Sequence, residues 1–427
     1  MTLRRWKWSP KATTVTTGLL LALAVQNAVP PFATDVYAPL FPAITIDLNT
    51  SSGLIGLTLT TFFIGNGLGQ LLGGAFSDQM GRRRTIIAGG IICTLGSIGC
   101  VLAPSITVLI AARMIQGFGG GVAAATSRAV LVDLAVGSKL ASAMSLMMAI
   151  GGLAPIVAPI IGGMIATVAT WRTVFWALTI FGLLMTVVAF LVIPESLPMG
   201  RRHRGGLRTT ITGMTTLVRR PAFIGFMFVS SFSSAAMFAY IADSSYVFQG
   251  IAGLSPMMYS IIFALNAFAQ MATAFINSRL VIRFKPQNLL RLGVTMAAVS
   301  ILLLAISVFA LGTPLWLTGA GFTLLMASQG FIFGNSSALA LSHARDSAGI
   351  GSALLGLIQS LANSVSAPLA SIGGSRTAVP MVIVMLVGSV IAWSAYLLAR
   401  RADPQKHPEP PSDQSDPGDD GVQGERA

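Results

Sequence analysis

The sequence predicts an all-α integral membrane protein with twelve transmembrane helices in two six-helix halves. Three observations carry that expectation: the composition, the recurrence of long apolar runs, and one basic polar stretch at mid-chain. Of 427 residues, 54% are hydrophobic and only 10% are charged, with a mean hydropathy of +0.77. Soluble domains carry roughly 25% charged residues, and so few charges could not cover a surface in water. A bilayer core, by contrast, solvates apolar side chains and penalises charged ones.

Crossing a bilayer takes about 20 apolar residues, and runs of that length recur along the whole body. They lie near 13–36, 51–75, 84–104, 106–131, 140–166 and 171–193, then near 221–248, 255–280, 288–311, 314–342, 348–372 and 378–400. The first run follows basic residues but is too long for a signal-peptide core and lacks a convincing small-residue cleavage site, so it is read as a retained helix. The sixth and seventh runs are separated by 194–220, which holds Arg201, Arg202, His203, Arg204, Arg208, Arg219 and Arg220. The expected organisation is an N-terminal segment (1–12), a six-helix half (13–193), a linker (194–220), a second six-helix half (221–400) and a tail (401–427). The tail is rich in Pro and Asp and is expected to be disordered.

The net charge of +13 divides into +17 over residues 1–400 and −4 over the tail. Arg4, Arg5, Lys7 and Lys11 precede the first run. Alternate loops then carry Arg82, Arg83 and Arg84; Lys139; the linker; Arg279, Arg283, Lys285 and Arg291; Arg345; and Arg400, Arg401 and Lys406. The opposite loops offer only Arg172 and Arg376. Positive loops stay in the cytoplasm, so both termini and the linker are expected there. The excess charge is thus an orientation signal, and no nucleic-acid partner is expected.

Cys93 and Cys100 lie seven residues apart on one predicted helix, about 10 Å of rise and beyond disulfide reach. They are expected to be core packing residues. There is no G-x-x-x-x-G-K phosphate loop, no H-E-x-x-H and no C-x-x-C. An enzyme, a cofactor and a metal site are not expected, and transport would not be driven by ATP hydrolysed on this chain.

Ionisable groups in lipid-crossing helices are costly, so each is a functional candidate. Asp35 falls near the outer end of the first helix, between Pro31, Tyr37, Pro39 and Pro42. A carboxylate lodged among prolines and aromatics is desolvated, which suits it to bind and release a proton near neutral pH. The plainer alternative is an interfacial Asp capping a broken helix end. Arg113, inside the fourth helix, cannot lose its charge. It must meet a carboxylate, a carbonyl or an anion, and Gln116 shares its face; a fixed structural ion pair is the alternative. Asp243, near the outer end of the seventh helix, is the approximate counterpart of Asp35. A pair at corresponding depths would let both halves take part in coupling, whereas the bland reading is an Asp at the outer rim facing water. Arg128 and Asp133 lie toward the cytoplasmic end of the fourth helix. Gly65, Gly69 and Gly73, with Gly117, Gly119, Gly120 and Gly121, have the spacing that lets helix backbones approach closely.

The loop after the second helix runs through Gly74, Asp78, Gly81, Arg82, Arg83 and Arg84. It resembles the G-x-L-x-D-R-x-G-R-[RK] signature of the major facilitator superfamily, with Gln79 in place of the usual basic residue. Gly81 would permit the tight turn, Asp78 would cap the positive N-terminus of a neighbouring helix, and Arg82 would bridge to it. In that family the cluster locks the outward-facing state with an acid at the end of the fourth helix, a role that falls on Asp133. Leu109, Arg113, Gln116, Gly117 and Gly119 resemble the helix 4 motif whose Arg is implicated in proton coupling. Pro155, Ala158, Pro159, Gly162 and Gly163 resemble the G-P-x-x-G-G antiporter motif of helix 5, with Ala158 where Gly is usual. The Asp35 segment is similar to the bicyclomycin and chloramphenicol resistance (Bcr/CflA) branch of the drug:proton antiporters. Phe232 to Phe238, Phe263 to Asn266, and Asn277 to Arg279 carry the same likeness. Two positions depart from the branch: Val132 replaces the usual Arg before Asp133, and Asp243 replaces a commonly small residue.

The resemblance implies the major facilitator fold, residence in a bacterial inner membrane, and export of hydrophobic drugs of the chloramphenicol or bicyclomycin kind by proton antiport and alternating access. Proton coupling would fall on Asp35, Arg113 and Asp243. Candidate cavity residues are Tyr37, Asn66, Gln116, Phe238, Tyr240, Asn266, Gln329 and Gln359. The partners expected are a small hydrophobic drug or metabolite, protons and the lipid bilayer, with the chain a monomer. Export of an endogenous metabolite or siderophore is the alternative within transport. A membrane sensor or scaffold that moves nothing is a third reading, which would need neither the loop signature nor intramembrane Asp35 and Arg113.

Overall fold

The computed structural model describes residues 16–135, 137–201, 214–344, 348–374 and 376–402. The N-terminal basic residues, residues 202–213 of the linker, Arg345 and residues 403–427 of the tail lie outside the described residues. Within them are twelve helices long and apolar enough to cross a membrane. In chain order the first half contains α1 (Thr17–Asp35), a short α2 (Phe41–Asp47), α3 (Ser52–Met80), α4 (Arg82–Val101), α5 (Ile106–Leu134), α6 (Gly137–Val168) and α7 (Trp171–Val192). The second contains α8 (Pro221–Ser245), α9 (Pro256–Leu280), α10 (Pro286–Ala310), α11 (Leu315–Ser342), α12 (Ala348–Ala370) and α13 (Val379–Ala402). An even number of crossings returns the chain to the side on which it began. The end of the bundle near Thr17 and Ala402 is called the termini end below, and the other the far end.

The first crossing is not one helix. It breaks after Asp35, passes through a 3₁₀ turn at Ala38–Leu40 and resumes as α2, together spanning Thr17–Asp47. Pro39 and Pro42 supply no N–H, and each stands in the first turn of the new segment, where a missing donor costs least. The eighth element likewise loosens at its far end, where Tyr246–Ile251 winds as a π-helix.

Glycines bring α3 and α5 into backbone contact. A Cβ at Gly65 or Gly69 would collide with the carbonyls of Met114 or Phe118, and one at Gly117 or Gly121 with those of Phe62 or Asn66. The contact is reciprocal, so neither helix can carry a side chain along this stripe. Gly69→Ala is therefore expected to destabilise the protein by about 1–3 kcal/mol. Gly319→Ala, where no atom lies within 4 Å of the new methyl, is expected to be neutral or slightly stabilising. Thermal unfolding in detergent compares the two, and equal midpoints would contradict the packing role of Gly69.

Among the described residues, the hydrogen bonds that join the two halves lie toward the far end. Thr45 and Tyr246 share a hydrogen bond of 2.8 Å, Gln249 Nε2 donates to the Pro39 carbonyl at 2.9 Å, and Ser52 Oγ to that of Ser371 at 2.6 Å. Thr60 Oγ1 donates to the Ser364 carbonyl at 2.5 Å. At the termini end, two polar contacts lie one in each half. Arg82 gathers residues of the first half, while Arg220 donates to the His343 carbonyl at 2.6 Å in the second.

Candidate functional site

Asp35 is the last residue of α1 and is 3% exposed. Thr34 donates its hydroxyl to Asp35 Oδ1 at 2.9 Å. The residues on either side of Asp35, namely Ala33, Val36 and Tyr37, share one buried cluster with Ala242 and Tyr246 of the opposite half. It is thus a buried acid beside the interface between halves, at a point where the helix is already broken.

Arg113 fixes that broken end from the other side. It is fully buried and donates to the Ala33 carbonyl at 3.2 Å and to Gln116 Oε1 at 2.5 Å. Gln116 Nε2 in turn donates to Ser97 at 2.8 Å. The guanidinium sits 4.6 Å from the Tyr37 ring, 4.3 Å from Phe62 and 6.0 Å from Phe175. Of the partners expected for Arg113, the structure supplies the Ala33 carbonyl and Gln116, with no carboxylate among the described residues, and three aromatic faces surround the guanidinium. Tyr37 and Gln116, expected in the cavity lining, are consumed by this arrangement. Tyr37 bonds to the Thr58 hydroxyl under the guanidinium, and both residues are enclosed in the first half.

The helix 5 motif meets the same junction. A Cβ at Gly162 would strike the Val36 carbonyl, one residue past Asp35, and one at Gly163 would strike Ser260 of α9. Pro155 and Pro159 lie within α6. The pair of glycines therefore lets α6 touch both the broken first helix and the opposite half.

Asp243 does not face water at the rim. It is completely buried, and neither carboxyl oxygen has a hydrogen-bond partner among the described residues. It sits one turn before Tyr246, which carries the bond to Thr45 across the halves. The expectation of an Asp at the outer rim facing water is thus corrected, because hydropathy gives a helix's extent and not the packing around each side chain. The helical chain continues to Ile251, so Asp243 lies inside the span and short of its end.

Other expected cavity residues separate into groups. Asn66, Phe238 and Gln359 lie on helices that face the opposite half. Phe238 packs at 4.4 Å against Phe63 across the interface, and Gln359 is half-buried. Tyr240 accepts from Asn266 Nδ2 at 2.9 Å, stacks on Phe263 at 5.4 Å, and is buried with Asn266 in the second half. Gln329 is buried in α11 with its Oε1 unpartnered among the described residues. A cavity of about 270 Å³ opens elsewhere, at the far end, lined by Asp47, Trp171 and Gln249 among others; it includes none of the expected cavity residues.

The loop signature closes around Arg82. Its guanidinium donates to Asp78 at 2.5 Å and to Asp133 at 2.9 Å, and Gly81 holds φ of 101°, which side-chain-bearing residues rarely adopt. The N-terminus of α4 is capped differently from expectation. Glu195 accepts the Arg82 backbone N–H at 2.8 Å, while Asp78 engages the side chain. Arg83 turns toward α7, donating to the Phe190 carbonyl at 2.6 Å and lying 5.3 Å from its ring. A Cβ at Gly74 would meet nothing within 4 Å.

Comparison with known proteins agrees with this architecture. A family model described as Major Facilitator Superfamily matches residues 23–367. The MFS-type transporter YdgK of Bacillus subtilis is 34% identical over 380 residues, covering 88% of this chain and 94% of that protein. The bicyclomycin resistance protein homologue of Haemophilus influenzae is 31% identical over 379 residues, with the same coverage of 88% and 94%. Among solved structures, a bacterial homologue of the human lysosomal transporter Spinster superposes with a TM-score of 0.72 at 16% identity, over 92% of this chain and 98% of that one. That last likeness concerns the fold alone. The chain is a multi-pass membrane transporter and belongs to the major facilitator superfamily, in the branch that includes the bicyclomycin resistance protein homologue.

Proposed function

We propose that the protein exports small hydrophobic compounds in exchange for protons, by alternating access of the space between its halves. The observation that carries this is the placement of Asp35. An acid buried at a helix break, whose chain neighbours pack against Ala242 and Tyr246 of the opposite half, is where proton binding and the contact between halves can influence one another. Arg113 acts as a positioning residue, holding the Ala33 carbonyl and thereby the end of α1. Asp243, enclosed in the second half near the same contact, is the second candidate for coupling. Asn66, Phe238 and Gln359 supply cavity lining at the interface.

The distribution of Lys and Arg supports cytoplasmic termini. In a bacterial inner membrane the far end then faces outward, and the hydrogen bonds between halves at that end describe an inward-facing state. Substrate enters from the cytoplasmic side with Asp35 ionised. After the switch outward, a proton on Asp35 favours release. Each charge moved through the potential supplies about 2.3 kcal/mol per 100 mV, to which a pH gradient adds. Arg82, Asp78 and Asp133 form the latch that engages the other half when the bundle rocks, and a single chain suffices for the cycle.

Expression in an efflux-deficient host tests the reading. Inhibitory concentrations for chloramphenicol or bicyclomycin are expected to rise severalfold, and an uncoupler should erase the gain in drug retention assays. Resistance that survives the uncoupler would remove proton coupling. No resistance to any compound tried would favour export of an endogenous metabolite.

A further inference from the structure

A polar cluster between α1, α3 and α5 has no part in the coupling scheme. Arg128 donates to Asn27 Oδ1 at 3.1 Å and to Gln70 Oε1 at 2.9 Å, and Gln70 Nε2 donates to Asn66 Oδ1 at 2.6 Å. The direction of these bonds is dictated by Arg128, which can donate but never accept. Asn27 and Gln70 must turn their oxygens toward it. Gln70 then offers Asn66 only its nitrogen, so Asn66 also gives up its oxygen. Every amide oxygen of the cluster is engaged from within, and the capacity that remains is almost wholly donor. It comprises further N–H groups of Arg128, the Asn27 amide nitrogen, and Asn66 Nδ2, which is buried without a partner among the described residues.

No acid among the described residues pairs with Arg128. Asp78 and Asp133 hold Arg82, Asp47 holds Arg172, Glu195 accepts the Arg82 backbone, and Asp35 accepts from Thr34. Asp243 lies at the far end of α8, in the other half. Arg128 differs from Arg113 in access. Arg128, Asn27 and Gln70 are all half-buried, whereas Arg113 is sealed under aromatic rings. The cluster also faces the interface. A Cβ on Gly356 of α12 would stand 3.5 Å from Gln70 Oε1, and one on Gly151 of α6 would stand 3.6 Å from Asn27 Nδ2. It lies toward the termini end, away from the hydrogen bonds that join the halves.

We propose that the Arg128–Asn27–Asn66 cluster is a subsite for the anionic, oxygen-rich head group, a carboxylate or a phosphate, of an otherwise apolar compound. This inference rests on the transport reading above, and names the class of compound for which the protein is selective. A guanidinium fork matches two oxygens of such a group at once, and the amide nitrogens supply the remaining donors. Exchange of one anion outward for one proton inward moves two charge equivalents. Its rate should therefore depend on membrane potential more steeply than that of a neutral compound.

The experiment is binding to the purified full-length protein in neutral detergent, with 1-naphthylacetate and its methyl ester as matched probes. Wild type is expected to bind the carboxylate at least about tenfold tighter than the ester. Arg128→Gln should bring the ratio near one. Asn27→Asp should do the same with the arginine intact, because it provides Arg128 with an internal carboxylate. Arg128→Lys keeps the charge without the fork, and its ratio should fall between. Equal affinities in wild type, or a ratio retained in folded Arg128→Gln, would overturn the proposal. So would displacement of the probe by phosphatidylglycerol in nanodiscs, which would make the cluster a lipid head-group site. Failure of the export reading shows separately: a binding preference lost in these variants, with no uncoupler-sensitive efflux of any compound, leaves the subsite and removes export.

Discussion

Asp35→Asn is expected to abolish uphill export while leaving substrate exchange intact. Asn is isosteric, and its amide oxygen can still accept the Thr34 hydroxyl that Asp35 accepts at 2.9 Å, so the end of α1 should keep its shape. What disappears is the proton. For a neutral compound exchanged against one proton, 100 mV is worth about 2.3 kcal/mol. At 1.4 kcal/mol per decade that sustains roughly a 40-fold concentration ratio. In proteoliposomes the accumulation ratio should fall from that order to unity in the mutant, while counterflow of labelled against unlabelled substrate continues. Accumulation that persists in Asp35→Asn would move the carrier role elsewhere, with Asp243 next in line because it too is buried in the membrane region.

The second large effect is expected at Arg113, where charge and geometry can be separated. Arg113→Lys keeps a cation, but its shorter ammonium does not occupy the Nη1 position that donates to both the Ala33 carbonyl and Gln116, and it lacks the planar face set against the Tyr37 and Phe62 rings. A displacement of about 1 Å at a reacting group can cost about 100-fold in rate, and the Ala33 carbonyl is two residues from Asp35. Export by Arg113→Lys should therefore fall by about that factor. Arg113→Met should lose export as well, yet stay folded. It removes a desolvated charge along with its favourable ring contacts, so the two changes offset to within about 2 kcal/mol. Wild-type export by the Lys variant would show that Arg113 acts through its charge alone.

The parts of the fold that depend on hydropathy were legible in the sequence. The expected run at 51–75 is α3, which continues to Met80 because Ser77 and Asp78 extend the helix past the apolar stretch. The break after Asp35 enters the sequence reading only as the alternative role for that residue; Pro30 and Pro31 lie inside α1, and Pro39 and Pro42 stand where it is interrupted. Gly65 and Gly69 have the spacing of packing positions, and their neighbours on α5 bear that out. What stayed hidden is depth and direction around each helix axis. Asp243 is near the end of its apolar run, and only the packing of the folded chain shows that its side chain is fully enclosed. Tyr37 and Gln116 are polar positions of the kind that line cavities, but Arg113 draws both into the first half. Glu195 follows directly on an apolar run, and only the folded chain shows it capping α4. Arg128 could be placed near the end of the fourth helix. That Asn27 and Gln70 would meet it from two other helices, and turn their oxygens inward, lies in tertiary contacts that no spacing encodes.

Proton release on ligand binding most directly tests the claim that Asp35 links substrate to protons. Purified protein in weakly buffered detergent near neutral pH is mixed with a compound shown to be exported, and the pH change is followed with an indicator dye. About one proton released per ligand bound by wild type, and none by Asp35→Asn with binding retained, is the expected result. No release from wild type, or equal release from the mutant, would contradict it.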